Sequence, residues 1–139
     1  NPLATDFLVR LRTDAPSTAD DFFIDDLAIY CRMLLNDGTY NGKTILAPES
    51  VRLLTSAASH GRACGFDVES SYAWIKGENA PERTFCHSGY TGTSIVCDPE
   101  NKIYIIILTN RAHPNDKGTV RPVRTKVANL VFETLVKDK

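Results

Sequence analysis

Six consecutive residues, His87-Ser88-Gly89-Tyr90-Thr91-Gly92, place an imidazole and three hydroxyls around two glycines. Glycine lets backbone approach a ligand closely, and free N–H groups at such a turn can stabilise the oxyanion that develops in acyl transfer. The same residues also make an ordinary hairpin, and short glycine motifs recur by chance, so pattern alone leaves both readings open.

Other chemistry is less well supported. Cys86 and His87 are neighbours on an expected strand and should point to opposite faces, which separates thiol from imidazole. Cys31 falls on an apolar helix stripe and Cys97 in a strand, where a free cysteine is most often a small core residue. The four cysteines, Cys31, Cys64, Cys86 and Cys97, contain no CxxC, so they define no disulfide framework and leave the redox compartment open. His60, Cys64, Cys86, His87 and His113 do not have the spacing of a zinc ligand set, and no metal is expected. Asp20-Asp21 and Asp25-Asp26 read as carboxylates meeting the dipole near a helix start. His60 and His113 read as solvated loop histidines, and Asn110-Arg111 as either a solvated strand end or an anchor for a cleft.

A length of 139 residues suits one domain with one core, and 42% hydrophobic with 24% charged residues excludes a disordered or fibrous chain. The net charge of -1 comes without a Lys/Arg cluster, which argues against a nucleic-acid partner. The longest apolar run, Ile103 to Leu108, is far below the ~20 residues of a membrane span, and no basic-then-apolar signal pattern opens the chain.

The elements that must position the hexapeptide follow from periodicity. Leu3, Phe7, Leu8 and Leu11 suggest a short helix over Pro2–Arg12. Ser17 and Asp20 form a capping pattern before a stripe of Phe23, Leu27, Tyr30, Cys31, Leu34 and Leu35, an amphipathic helix closed at Asn36-Asp37-Gly38 by the glycine. Asn41-Gly42 signals a tight turn, Lys43–Leu46 a short extended stretch, and Pro48 the first turn of a helix over Glu49–Thr55. Ala63–Val68 and Tyr72–Ile75 are candidate strands, followed by a loop over Gly77–Glu82. Thr84–Ser88, Thr93–Asp98 and Lys102–Asn110 are three extended runs joined by hairpin-length turns. The continuous β-branched run Ile103–Leu108 predicts a strand covered on both faces. Val123, Val127, Leu130, Val131 and Leu135 give a terminal helix, about Arg121–Val136, one apolar face to cover it.

Taken together, these motifs resemble the serine β-lactamase and penicillin-binding-protein-like family, in its class C-like hydrolase and esterase branch. The residues that carry the resemblance are Asp26–Tyr30, Met33–Gly38, Tyr40–Lys43, Ile45–Glu49, Cys64-Gly65-Phe66, His87–Ser94, Asp98-Pro99-Glu100 and Leu108–Arg111. Over about residues 24 to 136 their order and approximate spacing are the family's. In that family a Lys-[Ser/Thr]-Gly strand, often His-[Ser/Thr]-Gly in this branch, lines one side of the cleft, and His87-Ser88-Gly89 matches it. The resemblance implies catalytic roles for His87, in the proton network, and for Tyr90, whose N–H would be half of an oxyanion hole shared with the nucleophile's own N–H. It implies substrate-binding roles for Ser88, whose hydroxyl would meet a carboxylate or carbonyl, and for the turn residues Gly89, Thr91 and Gly92.

The departures are equally specific. No serine has a lysine three positions on, so the family's Ser-x-x-Lys nucleophile is missing, and neither Tyr-x-Asn nor Ser-x-Asn occurs. Residues 1 to 23 match poorly and read as an altered junction within one domain of residues 1 to 139. The expected fold is α+β, an antiparallel sheet of three to five strands flanked by the C-terminal helix and the N-terminal amphipathic helix. The expected function is the C-terminal portion of a serine hydrolase acting on amide, β-lactam or ester bonds, inactive alone and a fragment awaiting the missing N-terminal half of its domain. No cofactor is implied, the substrate would be a small acyl or peptidoglycan-like molecule, and family members commonly work outside the cytoplasm. The alternative is a non-catalytic ligand-binding or self-associating module, because a sheet cut from its parent exposes edges that favour a homo-oligomer.

Overall fold

The run Ile103-Tyr104-Ile105-Ile106-Ile107 sends alternate apolar side chains to opposite faces of a strand, so both faces need a cover. In the computed structural model, which describes residues 20–136, each face has one. The elements in order are α1 (Asp20–Leu35), β1 (Thr39–Tyr40), β2 (Lys43–Thr44), α2 (Pro48–Thr55), a 3₁₀ turn (Ala73–Lys76), β3 (Phe85–Ser88), β4 (Ser94–Asp98), β5 (Ile103–Ile107) and α3 (Arg121–Leu135). The expected helix over Pro2–Arg12, the capping role of Ser17 and the packing of Phe23 lie outside the described residues, as do the side chains of Asp20 and Asp21.

Strands β3, β4 and β5 form an antiparallel meander in that order, and β1 pairs with β2 in a separate hairpin. On one face Phe85, Cys97, Tyr104 and Ile106 pack with Ile24, Ala28, Cys31, Leu34 and Leu35 of α1. On the other, Cys86, Val96, Ile103, Ile105 and Ile107 pack with Ala128, Val131 and Phe132 of α3. The fold is thus α+β, a three-stranded sheet between two helices. Among the described residues no helix is long and apolar enough to cross a membrane.

Local chemistry sets the joints. Asp98, fully buried, turns β4 into β5 by accepting the Glu100 N–H at 2.9 Å and the Asn101 side-chain amide at 2.6 Å. Lys102 then donates to the Leu35 carbonyl at the end of α1, where a cation also suits the helix dipole. Asn41 (φ 48) and Gly42 (φ 74) form the left-handed pair that a tight two-residue hairpin requires.

Several expectations need correction. At the end of α1 the left-handed capping residue is Asp37 (φ 51), and Gly38 (φ 88) follows it, donating to the Met33 carbonyl at 2.9 Å. Glycine is needed at 38 because a Cβ would lie 2.1 Å from the Leu46 carbonyl oxygen. Tyr30 stands partly exposed beside the α1 stripe, and Ile24 and Ala28 are buried in it. Ala63–Val68 is not a strand. Its donors go to turns: Cys64 and Gly65 bond to Leu53 and Leu54 at the end of α2, and the Gly61 carbonyl collects the N–H groups of Val68, Glu69 and Ser70. Only isolated bridges remain, Arg62 to Asp67 and Asp67 to Cys86. Tyr72–Ile75 is not a strand either, because the Ser70 hydroxyl accepts the Tyr72 N–H and its carbonyl the Ala73 N–H, which starts the 3₁₀ turn. The extended stretch at 43 ends at Thr44, since the amides of Ile45 and Leu46 turn back to Gly38, and the third run leaves the ladder after Ile107.

The apolar face of α3 is rotated from the expected one. Val123 and Leu130 are exposed, whereas Arg124, Ala128, Val131 and Phe132 are buried. Phe132→Ala is therefore expected to cost about 3–5 kcal/mol of stability, and Leu130→Ala to stay within about 0.5 kcal/mol of wild type. Urea unfolding of the two variants checks the assignment, and equal losses would refute it.

Candidate active site

Strand β3 is an edge of the sheet, and alternation fixes what it displays. Phe85 enters the core under α1, Cys86 the core under α3, and His87 returns to the α1 side beyond the end of that core, with its side chain 54% exposed. The expected separation of Cys86 from His87 follows directly. Outside β3, Asp67 exchanges both backbone hydrogen bonds with Cys86, at 2.8 and 2.9 Å. The Asp67 carboxylate is buried; it accepts the Ser70 hydroxyl at 2.7 Å and faces Arg62 Nε at 3.3 Å. Its other oxygen is 4.0 Å from His87 Nδ1, too far for a hydrogen bond.

Beyond Ser88, paired with Ser94, the chain reverses through Gly89-Tyr90-Thr91-Gly92-Thr93. The Gly89 N–H donates to Thr93 at 2.8 Å, and the Gly92 N–H to Gly89 at 3.3 Å. Both glycines have steric reasons: a Cβ at 89 would lie 2.4 Å from Thr93 Oγ1, and one at Gly92 (φ 122) would lie 2.2 Å from Thr109 Oγ1.

Two guanidinium groups hold this turn. Arg124, reaching up from α3 and only 6% exposed, donates through one nitrogen to the carbonyls of Gly89 (3.0 Å) and Thr93 (2.6 Å). Burial, and after it the charge of Arg111, lower the pKa of Arg124. Arg111 donates to the Tyr90 carbonyl at 2.8 Å, stacks 4.3 Å from the Tyr90 ring centre, and binds Asp116 at 2.8 Å and the Gly118 carbonyl at 3.0 Å. The Tyr90 hydroxyl closes the circuit on Asp116 at 2.5 Å. Among the described residues no hydrogen bond engages the Tyr90 N–H. The structure thus brings His87, Ser88, Gly89, Tyr90, Thr91 and Gly92 together on one edge of the sheet, and Arg111 anchors the turn they form.

Arg124, Asp67 and Asp116 escaped the sequence reading. Arg124 had a signal, since it is in register with Ala128, Val131 and Leu135 on the buried stripe, where a charged residue demands a partner. No other chemistry gathers here. Among the described residues no group of three or more His, Cys, Asp or Glu can hold a metal ion. Burial, and after it the nearby Asp67 carboxylate, push the Cys86 thiol up to about 12. The hydrogen bond with Cys31, and then burial, hold Cys97 well above its ordinary value. A thiol raised that far is almost wholly protonated at pH 8, and Cys64 alone is exposed. Native chain treated with iodoacetamide at pH 8 is expected to gain one label, at Cys64, and the chain in denaturant all four. Intact mass and peptide mapping check this, and rapid native labelling of Cys86 would contradict it.

The Beta-lactamase family model matches residues 22–130. An N-acetylmuramyl-L-alanine amidase of Bacillus subtilis is 33% identical over 93 residues, 64% of this chain and 21% of that protein. A putative D-alanyl-D-alanine carboxypeptidase of Escherichia coli O157:H7 is 28% identical over 92 residues, and one of Salmonella gallinarum 32% over 92, each match covering 63% of this chain and 21% of the relative. The chain therefore spans about a fifth of the length of the curated relatives it matches. A family match over most of the chain, on the fold and the hairpin just described, shows that it belongs to the serine β-lactamase and penicillin-binding-protein-like family.

Proposed function

We propose that this chain supplies one wall of a serine-hydrolase active site, cleaving an amide, β-lactam or ester bond through an acyl-serine whose nucleophile another segment or chain provides. The observation that carries the reading is the unengaged Tyr90 N–H in a turn whose carbonyls are held on the other side, beside the exposed His87. As the serine oxygen adds to the substrate carbonyl, the oxygen of that carbonyl becomes an anion, and a fixed N–H aimed at it stabilises the transition state more than the ground state. Loss of one such donor typically costs 10²–10³-fold in kcat. The exposed imidazole of His87 supports a role in holding or passing a proton, and Ser88, its neighbour on β3, turns its half-buried hydroxyl to the other face of the strand. The leaving group departs with a proton, and water then releases the acyl group from the serine.

The substrate class is an amide of a muramyl peptide or D-alanyl peptide, a reading supported by the names of the amidase and carboxypeptidase relatives. The nucleophile is assigned elsewhere because none of the serines here begins Ser-x-x-Lys. In a chimera carrying this chain's residues in place of the matching span of the Bacillus subtilis amidase, hydrolysis is expected to persist and His87→Ala to lower kcat about 10²-fold. A folded chimera without turnover would sink the proposal. Intact mass of the 139-residue chain after a fluorophosphonate probe is expected to show no adduct, and stable labelling of a serine would overturn the view that the nucleophile comes from outside.

A self-associating module is the alternative, favoured by β5, whose outer backbone edge has no strand partner among the described residues. Sedimentation that yields a monomer at every concentration would remove it.

A further inference from the structure

Arg124 is almost wholly buried at the foot of the turn, and its contacts are with backbone rather than with a carboxylate. A buried guanidinium held only by neutral carbonyls is expensive, and the Nε of Arg124 has no hydrogen-bond partner. Helix packing alone would be served better by an apolar residue at this position, between Val120 and Ala128 on the inner face of α3.

What the arginine does follows from peptide geometry. The Gly89–Tyr90 peptide is trans, so its C=O and N–H point in opposite directions. Fixing the Gly89 oxygen on Arg124 therefore turns the Tyr90 N–H away from α3 and out of the sheet's interior. A flip of this peptide would break both bonds to the Gly89 oxygen, from Arg124 and from the Gly92 N–H, while the second bond from the Arg124 nitrogen, to Thr93 across the turn, keeps the guanidinium in place. Arg111 does the same to the next carbonyl, that of Tyr90. A cation on the oxygen of a peptide also polarises its N–H, which becomes a stronger donor.

We infer that Arg124 is a positioning residue for the oxyanion-binding N–H of Tyr90, holding the Gly89–Tyr90 peptide in the orientation that acyl transfer needs. The inference rests on the proposed function for what Tyr90 binds, and on the structure alone for how its amide is held.

Nitrogen-15 relaxation on the full 139-residue chain tests the holding without any turnover. In wild type the Tyr90 amide is expected to be as rigid as the sheet, with an order parameter near 0.85, and in Arg124→Met to fall toward 0.6 or below while Val96 and Ile105 keep theirs. Arg124→Lys, which keeps the charge on a shorter and more flexible side chain, is expected to fall between them. If the Met variant does not fold, the Lys variant carries the same comparison. In the amidase chimera, Arg124→Lys is expected to lower kcat about 10²-fold with KM little changed. An unchanged Tyr90 amide in the variants, or a Tyr90 amide already mobile in wild type, would overturn the inference. A rigid Tyr90 amide lost on substitution, in a chain whose chimera never turns over, would uphold the role of Arg124 and refute the proposed function.

Discussion

A three-stranded sheet with two apolar faces cannot stand in water, and the rest of this molecule answers that constraint. Ile103, Ile105 and Ile107 face one way and Tyr104 and Ile106 the other, all of them buried, so a helix is needed on each side. α1 and α3 come from opposite ends of the described chain to supply them. The apolar core on each face stops short of the last residues of β3, where His87 is exposed and Ser88 half-buried. The site is located where the core runs out.

The hairpin there is governed by carbonyl partners more than by side-chain packing. Gly89, Tyr90 and Thr93 each offer an oxygen to a guanidinium, and Thr91 accepts the backbone N–H of Arg111 at 2.7 Å. The outer edge of β3 is closed at Cys86 by Asp67, whose carboxylate then sits under His87. The positively charged side of the turn thus comes from α3 and the segment after β5, and the acidic neighbour of His87 comes from the segment after α2.

Much of this was legible in the sequence, for physical reasons that differ by element. The amphipathic period of α1, the β-branched run of β5 and the Asn41-Gly42 turn are local signals, and each element formed where its signal lies. Residues 63 to 76 were not legible as they are, because their apolar content suggests strands while Gly61 and Ser70 divert the backbone donors into turns. The face of α3 was misjudged because Val123 and Leu130 were taken as inward for being apolar, when hairpin carbonyls some 31 to 35 residues before Arg124 draw that residue inward instead. The hexapeptide at 87 to 92 could be read as a candidate and Arg111 as a possible anchor, yet Arg124 and Asp67 are distant in sequence and carry no motif.

The meander β3–β4–β5 occupies residues 85 to 107 with each strand beside its sequence neighbour, so its contacts close short loops. Short loops lose little chain entropy on closure and tend to form early, whereas the docking of α3 depends on a longer return of the chain. The hairpin can thus assemble with its Gly89 and Thr93 carbonyls still facing water, and the arrival of α3 brings the Arg124 guanidinium that replaces that water. The geometry of the turn is in this way tied to the docking of α3, since Arg124 leaves the Gly89 and Thr93 carbonyls whenever that helix comes loose.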